Sequence, residues 1–419
     1  MFQDILMLAA MFILRIGVPL LLVVGIGYTI LEKVTGFKLD WSPRFVTAVG
    51  GVLALWAFAA IAIMLRLTSG LGAVTNLTDQ FPLGMWIGFD VMAGAMLGGG
   101  AFFLAGLVYV FGMEHYRPIL RSTILTAFLG YSLLIVALLI DVGRPQNIML
   151  ARPVYFINVH SVLWEVAICV LCYTTVLALE FSPALFERLR WKRAWQIAHK
   201  LTLPLVIVGI LLSTMHQSSL GSLWLITPGK LNALWYTPWL PVFFWISAIG
   251  VGIGMVIVES NLSSRGFKRG LEQDLLAKLA KFSAFLFSFY AFAKFADLAW
   301  RGKLWMLTEP TLQALLWWIE VGLCAVLPAI LLFNPRMRTS RNALFAIGGL
   351  IVAGGILNRL NVSLFGMWTY TGPIYIPSLM EIAVTAALFT FGAAAFAVLV
   401  KLLPVYPTEH ELEAVPAEG

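Results

Sequence analysis

An all-α integral membrane protein of about eleven transmembrane helices is what the amino-acid sequence predicts, and three observations predict it. Of the 419 residues, 60% are hydrophobic and 12% are charged, about half the charged share of a soluble protein. Apolar runs of roughly 18 residues or more, long enough to cross the hydrocarbon layer, recur along the whole chain. Lys and Arg collect in alternate connections between those runs, the pattern that fixes membrane topology.

The runs fall at 11–31, 46–66, 85–112, 120–141, 158–181, 200–216, 238–259, 278–300, 313–334, 341–359 and 379–401. Each is near the ~20 residues that span ~30 Å of hydrocarbon. The first lacks a basic start and a small-residue cleavage site, and Arg15 interrupts it, so it reads as a retained span and not a secretory signal. In 85–112, Gly94-x-x-x-Gly98 with Gly99 and Gly100 makes a close-packing face. Gly250-x-Gly252-x-Gly254 lies inside 238–259, where it serves helix packing and not nucleotide binding. Glu165-Val166-Ala167-Ile168-Cys169 and Glu320-Val321-Gly322-Leu323-Cys324 recur four spans apart, as a parallel duplication of four-helix units would give. The predicted organisation is an extra N-terminal helix and loop (1–45), a first four-helix bundle (46–181), a second (182–334), two C-terminal helices (335–401) and a tail (402–419).

Orientation follows from the basic residues. One set of connections holds Lys33, Lys38, Arg44, Arg117, Arg121, Arg188, Arg190, Lys192, Arg193, Lys200, Arg265, Lys268, Arg269, Arg336, Arg338 and Arg341. The alternate set holds Arg66, Arg144, Arg152, Lys230, Arg301, Lys303 and Arg359. The richer set is expected to be cytoplasmic, with the N-terminus outside and the C-terminus inside. The net charge of +7 then belongs to topology, and no nucleic-acid partner is expected. The other face carries long connections rich in aromatics, Gly and Pro, such as 231–241 and 367–377. They suit lipid-interface anchoring and equally the docking of an extracytoplasmic partner.

Ionisable groups inside a bilayer are costly, which makes them functional candidates. At 1.5 Å per residue, Asp90, Glu165, Glu320 and Glu381 fall just inside spans entering from outside. Asp141, Arg144, His216, Asp297 and Arg301 fall at the outer ends of spans returning there. Asp297 with Lys294 or Arg301 also reads as an ion pair holding one helix. Reduction of a quinone needs two electrons and two protons at carbonyl oxygens, hence apolar walls, hydrogen-bond donors and proton carriers. His216, whose side-chain type changes charge near neutral pH, is the candidate donor. Glu165, Asp141 and Asp90 are candidate proton relays alongside it. Arg144, Tyr131, Trp164 and His160 complete the expected pocket. The three cysteines lie inside apolar runs and the five histidines are scattered, so no metal site, no iron–sulfur cluster and no haem is expected, since a membrane b-haem usually needs two inward histidines.

The chain resembles the NrfD/polysulfide-reductase family of membrane subunits, in its HybB branch, the quinone-reducing anchors of nickel–iron hydrogenases. The stretches that carry the resemblance are Phe81-Pro82-x-Gly84-x-Trp86-Ile87-x-Phe89-Asp90, Gly130-Tyr131-Ser132, Asp141-Val142-Gly143-Arg144 and Asn158-Val159-His160-Ser161-Val162-Leu163-Trp164-Glu165. Two longer ones run from Leu179-Glu180-Phe181-Ser182-Pro183 to Leu189, and from Thr214-Met215-His216-Gln217-Ser218 to Leu223. The resemblance spans about residue 45 to Leu402-Leu403-Pro404. It implies a haem-free bacterial inner-membrane anchor that takes electrons from an extracytoplasmic ferredoxin-like iron–sulfur subunit, behind which stands a hydrogenase or another redox catalytic subunit. It implies reduction of menaquinone or ubiquinone, with proton translocation in some members. It also implies Glu165 as a relay carboxylate, with His216, Asp141, Arg144 and Tyr131 near the quinone or its proton path. The run at 11–31 is extra to that pattern, which opens the place of the hydrogenase to another donor. A proton-coupled secondary transporter also uses repeats and buried acids, but such proteins break helices at the midplane, and the internal prolines here are chiefly Pro204 and Pro328.

Overall fold

A computed structural model describes residues 42–143, 160–226, 229–368 and 374–406. The run at 11–31, Arg144 and the acidic tail lie outside them. The described residues hold ten helices long and apolar enough to cross a membrane. These are α1 (Pro43–Ser69), α2 (Trp86–Val110), α3 (Arg117–Asp141), α4 (Val162–Arg188), α5 (Lys192–Ser222), α6 (Leu240–Gly266), α7 (Gln273–Trp300), α8 (Leu312–Phe333), α9 (Arg341–Ser363) and α10 (Leu379–Leu402). All ten of the expected runs in this region are helices, and the protein is a multi-pass membrane protein. Several helices outrun the apolar stretch on the basic face: α4 continues to Arg188 and α6 to Gly266. Polar residues there lie at the headgroup level, so hydropathy alone ends those elements too early.

The helices α2 and α6 are the central pair. The former packs on α3, α5, α6 and α9, and the latter on α2, α5, α7 and α9. Without a hydrophobic drive between helices in lipid, close approach of backbones supplies the contact. At their crossing, a Cβ on Gly100 would sit 2.7 Å from the Gly252 carbonyl oxygen, and one on Gly99 2.5 Å from that of Ala248. Only glycine admits this crossing, which is the packing role expected for both motifs. Outside the central pair, α4 and α5 form a tight hairpin, α7 packs on α8, and α1 pairs with α10.

Two spans are not uniform α-helix. A π-helical stretch at Trp86–Ala93 opens α2, another at Gly106–Val110 closes it, and a third interrupts α8 at Gly322–Val326. Widened turns of this kind re-aim side chains and are frequent near functional sites. The first contains Asp90, and the third begins two residues after Glu320.

Candidate functional site

In the bundle of α2–α5 the structure brings Tyr131, His216 and Glu165 together. Tyr131 lies mid-span on α3, fully buried, and its hydroxyl donates to the Ala95 carbonyl on α2 at 3.3 Å. Gln217 on α5 donates to the same carbonyl at 3.0 Å and to the Tyr131 hydroxyl at 3.4 Å. Tyr173 of α4 meets Tyr131 edge-on, ring centroids 4.7 Å apart, and His216 meets it from the other side at 5.6 Å. His216 is completely buried, and neither of its ring nitrogens has a hydrogen-bond partner. The Gln217 carbonyl oxygen is likewise buried without a partner, while the Ser213 hydroxyl lies between the Tyr131 and Tyr173 hydroxyls. Buried polar groups are normally satisfied, which sets the His216 ring and the Gln217 oxygen apart from the other polar atoms of the bundle.

Glu165 stands at the edge of this group. Its Oε1 accepts a 2.6 Å hydrogen bond from Ser219, one turn beyond His216 on α5. Glu165, Trp164 and Ser218 are half-buried, while Leu163 and Met215 beside them are exposed. The carboxylate therefore bridges the buried polar group and the lipid-facing surface. His160 is exposed in the turn ahead of α4, away from the buried histidine.

Asp90 and Asp141 form a second group with α1 and α10. Asp90 accepts from Thr385 at 2.7 Å. Asp141 is buried, with Oδ1 lacking a hydrogen-bond partner, and lies within electrostatic reach of Arg66 and Glu381. Arg66 appears in the sequence as a connection residue. The structure buries it in the last turn of α1, where its guanidinium donates to the Ile140 and Val142 carbonyls on either side of Asp141. The signal was present: Arg66 interrupts an apolar stretch that continues through Leu67.

Other outer acids hold loops. Glu381 closes a capping box with Ser378 at the start of α10 and accepts from the Asn76 amide and the Tyr375 hydroxyl. Burial, then this carboxylate, pushes the Tyr375 phenol above its usual range. Asp297 accepts from Arg301 at 2.7 Å and from Thr237 at 2.7 Å, while Arg301 also reaches the Ala233 and Tyr236 carbonyls. That pair clamps the 231–237 connection onto α7.

A third polar group, in α6–α9, was only partly visible. Glu320 accepts from Trp235 (2.7 Å), Asn358 (2.6 Å) and Asn361 (2.8 Å) and pairs with Lys294 at 3.2 Å. The partner of Lys294 is thus on α8, not Asp297 one turn along its own helix. Arg359, which reads as a connection residue, is wholly buried, stacked 3.7 Å over Phe244 and bonded to Asn358 and the Phe244 carbonyl. Asparagines carry no charge signal in a sequence, and Arg359 near a predicted helix end mimics a topology residue.

These features define a polytopic helical membrane subunit with polar groups buried in its bundle, and the chain belongs to the NrfD polysulphide reductase family, whose model matches residues 73–371. It is 35% identical over 354 residues to the probable Ni/Fe-hydrogenase 2 b-type cytochrome subunit of Escherichia coli K12, covering 83% of this chain and 89% of that one. It is 28% identical over 396 residues to the integral membrane subunit of the menaquinone reductase of Nitratidesulfovibrio vulgaris Hildenborough (88% and 94% covered). A further protein of that bacterium is 36% identical over 355 residues (82% and 90% covered).

Proposed function

We propose that this chain is the quinone-reactive membrane anchor of a multisubunit oxidoreductase, passing electrons from an extracytoplasmic iron–sulfur partner to menaquinone or ubiquinone. The observation that carries the reading is the buried, unpartnered His216 beside Tyr131, with Glu165 of α4 bonded at the lipid edge to Ser219, one turn along α5 from the histidine. A quinone ring arriving from the bilayer beside Leu163 and Met215 would meet apolar walls, then a histidine able to donate to one of its carbonyl oxygens and a tyrosine that could do so by giving up its bond to Ala95. Two electrons from the partner and two protons complete the reduction. Glu165, held by Ser219, is placed to hand on one proton. Asp90 and Asp141 are the next acids along, and Arg144 belongs to the same proposal on sequence grounds. The bacterial inner membrane, an extracytoplasmic N-terminus and coupling to proton translocation are parts of this reading. Of the relatives, one name carries a hydrogenase and one a menaquinone reductase, which supports a redox partner; a hydrogenase is our first choice of donor.

The Escherichia coli relative is named a b-type cytochrome subunit, so haem must be weighed against the residues here. A bis-histidine haem needs two inward histidines. Among the described residues only His216 is buried; His160 and His199 are exposed and His115 is half-buried. The residues do not fit such a haem, and we propose that electrons pass to the quinone without one.

The test is quinone reduction by the purified complex carrying Glu165→Gln or His216→Ala. Each is expected to lower the rate by about a hundredfold or more, as loss of a positioned proton-transfer group does, while electron transfer from the donor to an artificial water-soluble acceptor stays at the parent rate. Parent-level quinone reduction in both variants would remove this site.

A further inference from the structure

The stretch from Leu179 to Leu189 carries part of the family resemblance, yet the quinone site leaves its Glu180 unused. Glu180 lies on α4, about 22 Å inward of Glu165 at 1.5 Å per residue, in the half of the bundle toward the basic face. It is half-buried. A carboxyl within a span is costly, and such acids mark ion and proton pathways. Phenols stand on either side of it. Tyr173, about two turns outward on the same helix, is buried and lies within electrostatic reach. Tyr109 of α2 is within reach of Glu180, Arg117, Arg121 and Glu114. Arg117 lies 5.9 Å from the Tyr109 ring and pairs with Glu114 at 2.8 Å, both exposed at the basic face.

Two residues of α5 join this acid to the site. A Cβ on Gly209 would lie 3.3 Å from Glu180 Oε1 and 3.6 Å from the edge of the Tyr173 ring, so the carboxyl and the phenol flank the same bare backbone. One turn further along α5, the Ser213 hydroxyl lies between the Tyr173 and Tyr131 hydroxyls. Tyr131 in turn packs against His216, ring centroids 5.6 Å apart. Gly209, Ser213 and His216 are all buried and fall at i, i+4 and i+7, one face of the helix. The residues that line this route are thus set by two facing helices, α4 and α5, with Tyr131 of α3 at its outer end.

Building on the quinone reading, we propose that Glu180 feeds one of the two protons of quinone reduction from the basic face, through Tyr173, Ser213 and Tyr131, in the space that Gly209 leaves open. Two electrons from the iron–sulfur partner and two protons convert each quinone to quinol. One proton is the one that Glu165 hands on. The other is given by Tyr131 to a quinone oxygen. Tyr131 takes its replacement from Ser213, Ser213 from Tyr173, Tyr173 from Glu180, and Glu180 from water at the basic face. Each carrier ends as it began, and the balance is one proton lost from the basic side per quinone reduced.

The test uses the whole complex in phosphatidylcholine vesicles loaded with menaquinone, with a pH-sensitive dye trapped inside and valinomycin with potassium to collapse the membrane potential. Dithionite, added outside, does not cross the bilayer, so it drives complexes whose iron–sulfur partner faces out and whose basic face is toward the lumen. Protein-free vesicles give the baseline. In the parent, the lumen is expected to turn alkaline as quinone is reduced. Glu180→Gln should slow quinone reduction and lumenal proton uptake together by about a hundredfold, as loss of a positioned proton-transfer group does. Gly209→Ala removes no titratable group and favours the helix, yet its methyl stands between carboxyl and phenol, and it should slow both several-fold. In both variants, electron transfer to a water-soluble artificial acceptor should stay at the parent rate, which shows a folded complex. Quinone reduction by the parent without lumenal proton uptake would overturn this route and leave the quinone site standing. Parent-rate uptake in either variant would also overturn it. A parent that reduces no menaquinone above the baseline would overturn the quinone reading and this inference with it.

Discussion

The contrast between Glu165 and Glu320 shows how much a buried carboxylate depends on its partners. Glu165 takes one side-chain hydrogen bond and is half-buried. Glu320 takes three side-chain hydrogen bonds and an ammonium ion, and 1% of it is exposed. Removing one member of a buried pair leaves an uncompensated charge, at a cost of about 3–5 kcal/mol. Lys294→Met is therefore expected to lower the melting temperature of the purified complex sharply. The double variant Lys294→Met/Glu320→Gln should recover part of the loss, because the remaining amide is neutral and its one oxygen still accepts from Trp235 and Asn361, although its N–H2 then faces the Asn358 amide. A double variant no more stable than Lys294→Met would mean that lost packing, and not stranded charge, sets the cost. At this scale the sequence was readable where a residue is rare in lipid: His216, Asp90 and Asp141 stood out by type alone. It gave Gln217 only as part of the family stretch and was silent on Ser213 and Tyr173, ordinary residues in a span that become informative only where they meet Tyr131.

At the scale of the element, the crossing of α2 over α6 is the joint on which both halves depend. Gly252 meets the backbone of Gly99 and Gly100, and backbone cannot rotate aside as a side chain can. Overpacking ordinarily costs about 1–3 kcal/mol, and here the helices themselves must part. Gly252→Val should lower both yield and melting temperature more than the same change at Gly349, which faces open space on α9; equal effects at the two positions would show that helix propensity, not the crossing, is limiting. The cap of α10 makes a smaller claim. Ser378 accepts from the Glu381 amide and donates to the Val74 carbonyl, so Ser378→Ala is expected to cost about 1–2 kcal/mol, read as a modest fall in melting temperature. Span positions were legible because apolar length is a strong signal. The π-helical turns were not, since one extra residue in a turn leaves composition unchanged.

For the whole molecule, the described helices and the family match support a membrane subunit built around buried polar groups. The electron route is where relatives and residues diverge, because the b-type cytochrome name of one relative implies a haem, whereas the described residues hold one buried histidine. The two readings separate cleanly. With haem, the purified complex should show b-type bands on reduction, and His216→Ala, by removing an axial ligand, should abolish them. Without haem, the reduced-minus-oxidised spectrum of the anchor should be featureless in both parent and variant, whereas His216→Ala should still fail to reduce quinone. We expect the second pattern. A histidine that donates to a quinone oxygen needs one nitrogen facing the ring and the other satisfied or solvated when the ligand is bound. The open nitrogens of His216, with Tyr131 packed against its ring, suit a ligand that comes and goes from the bilayer.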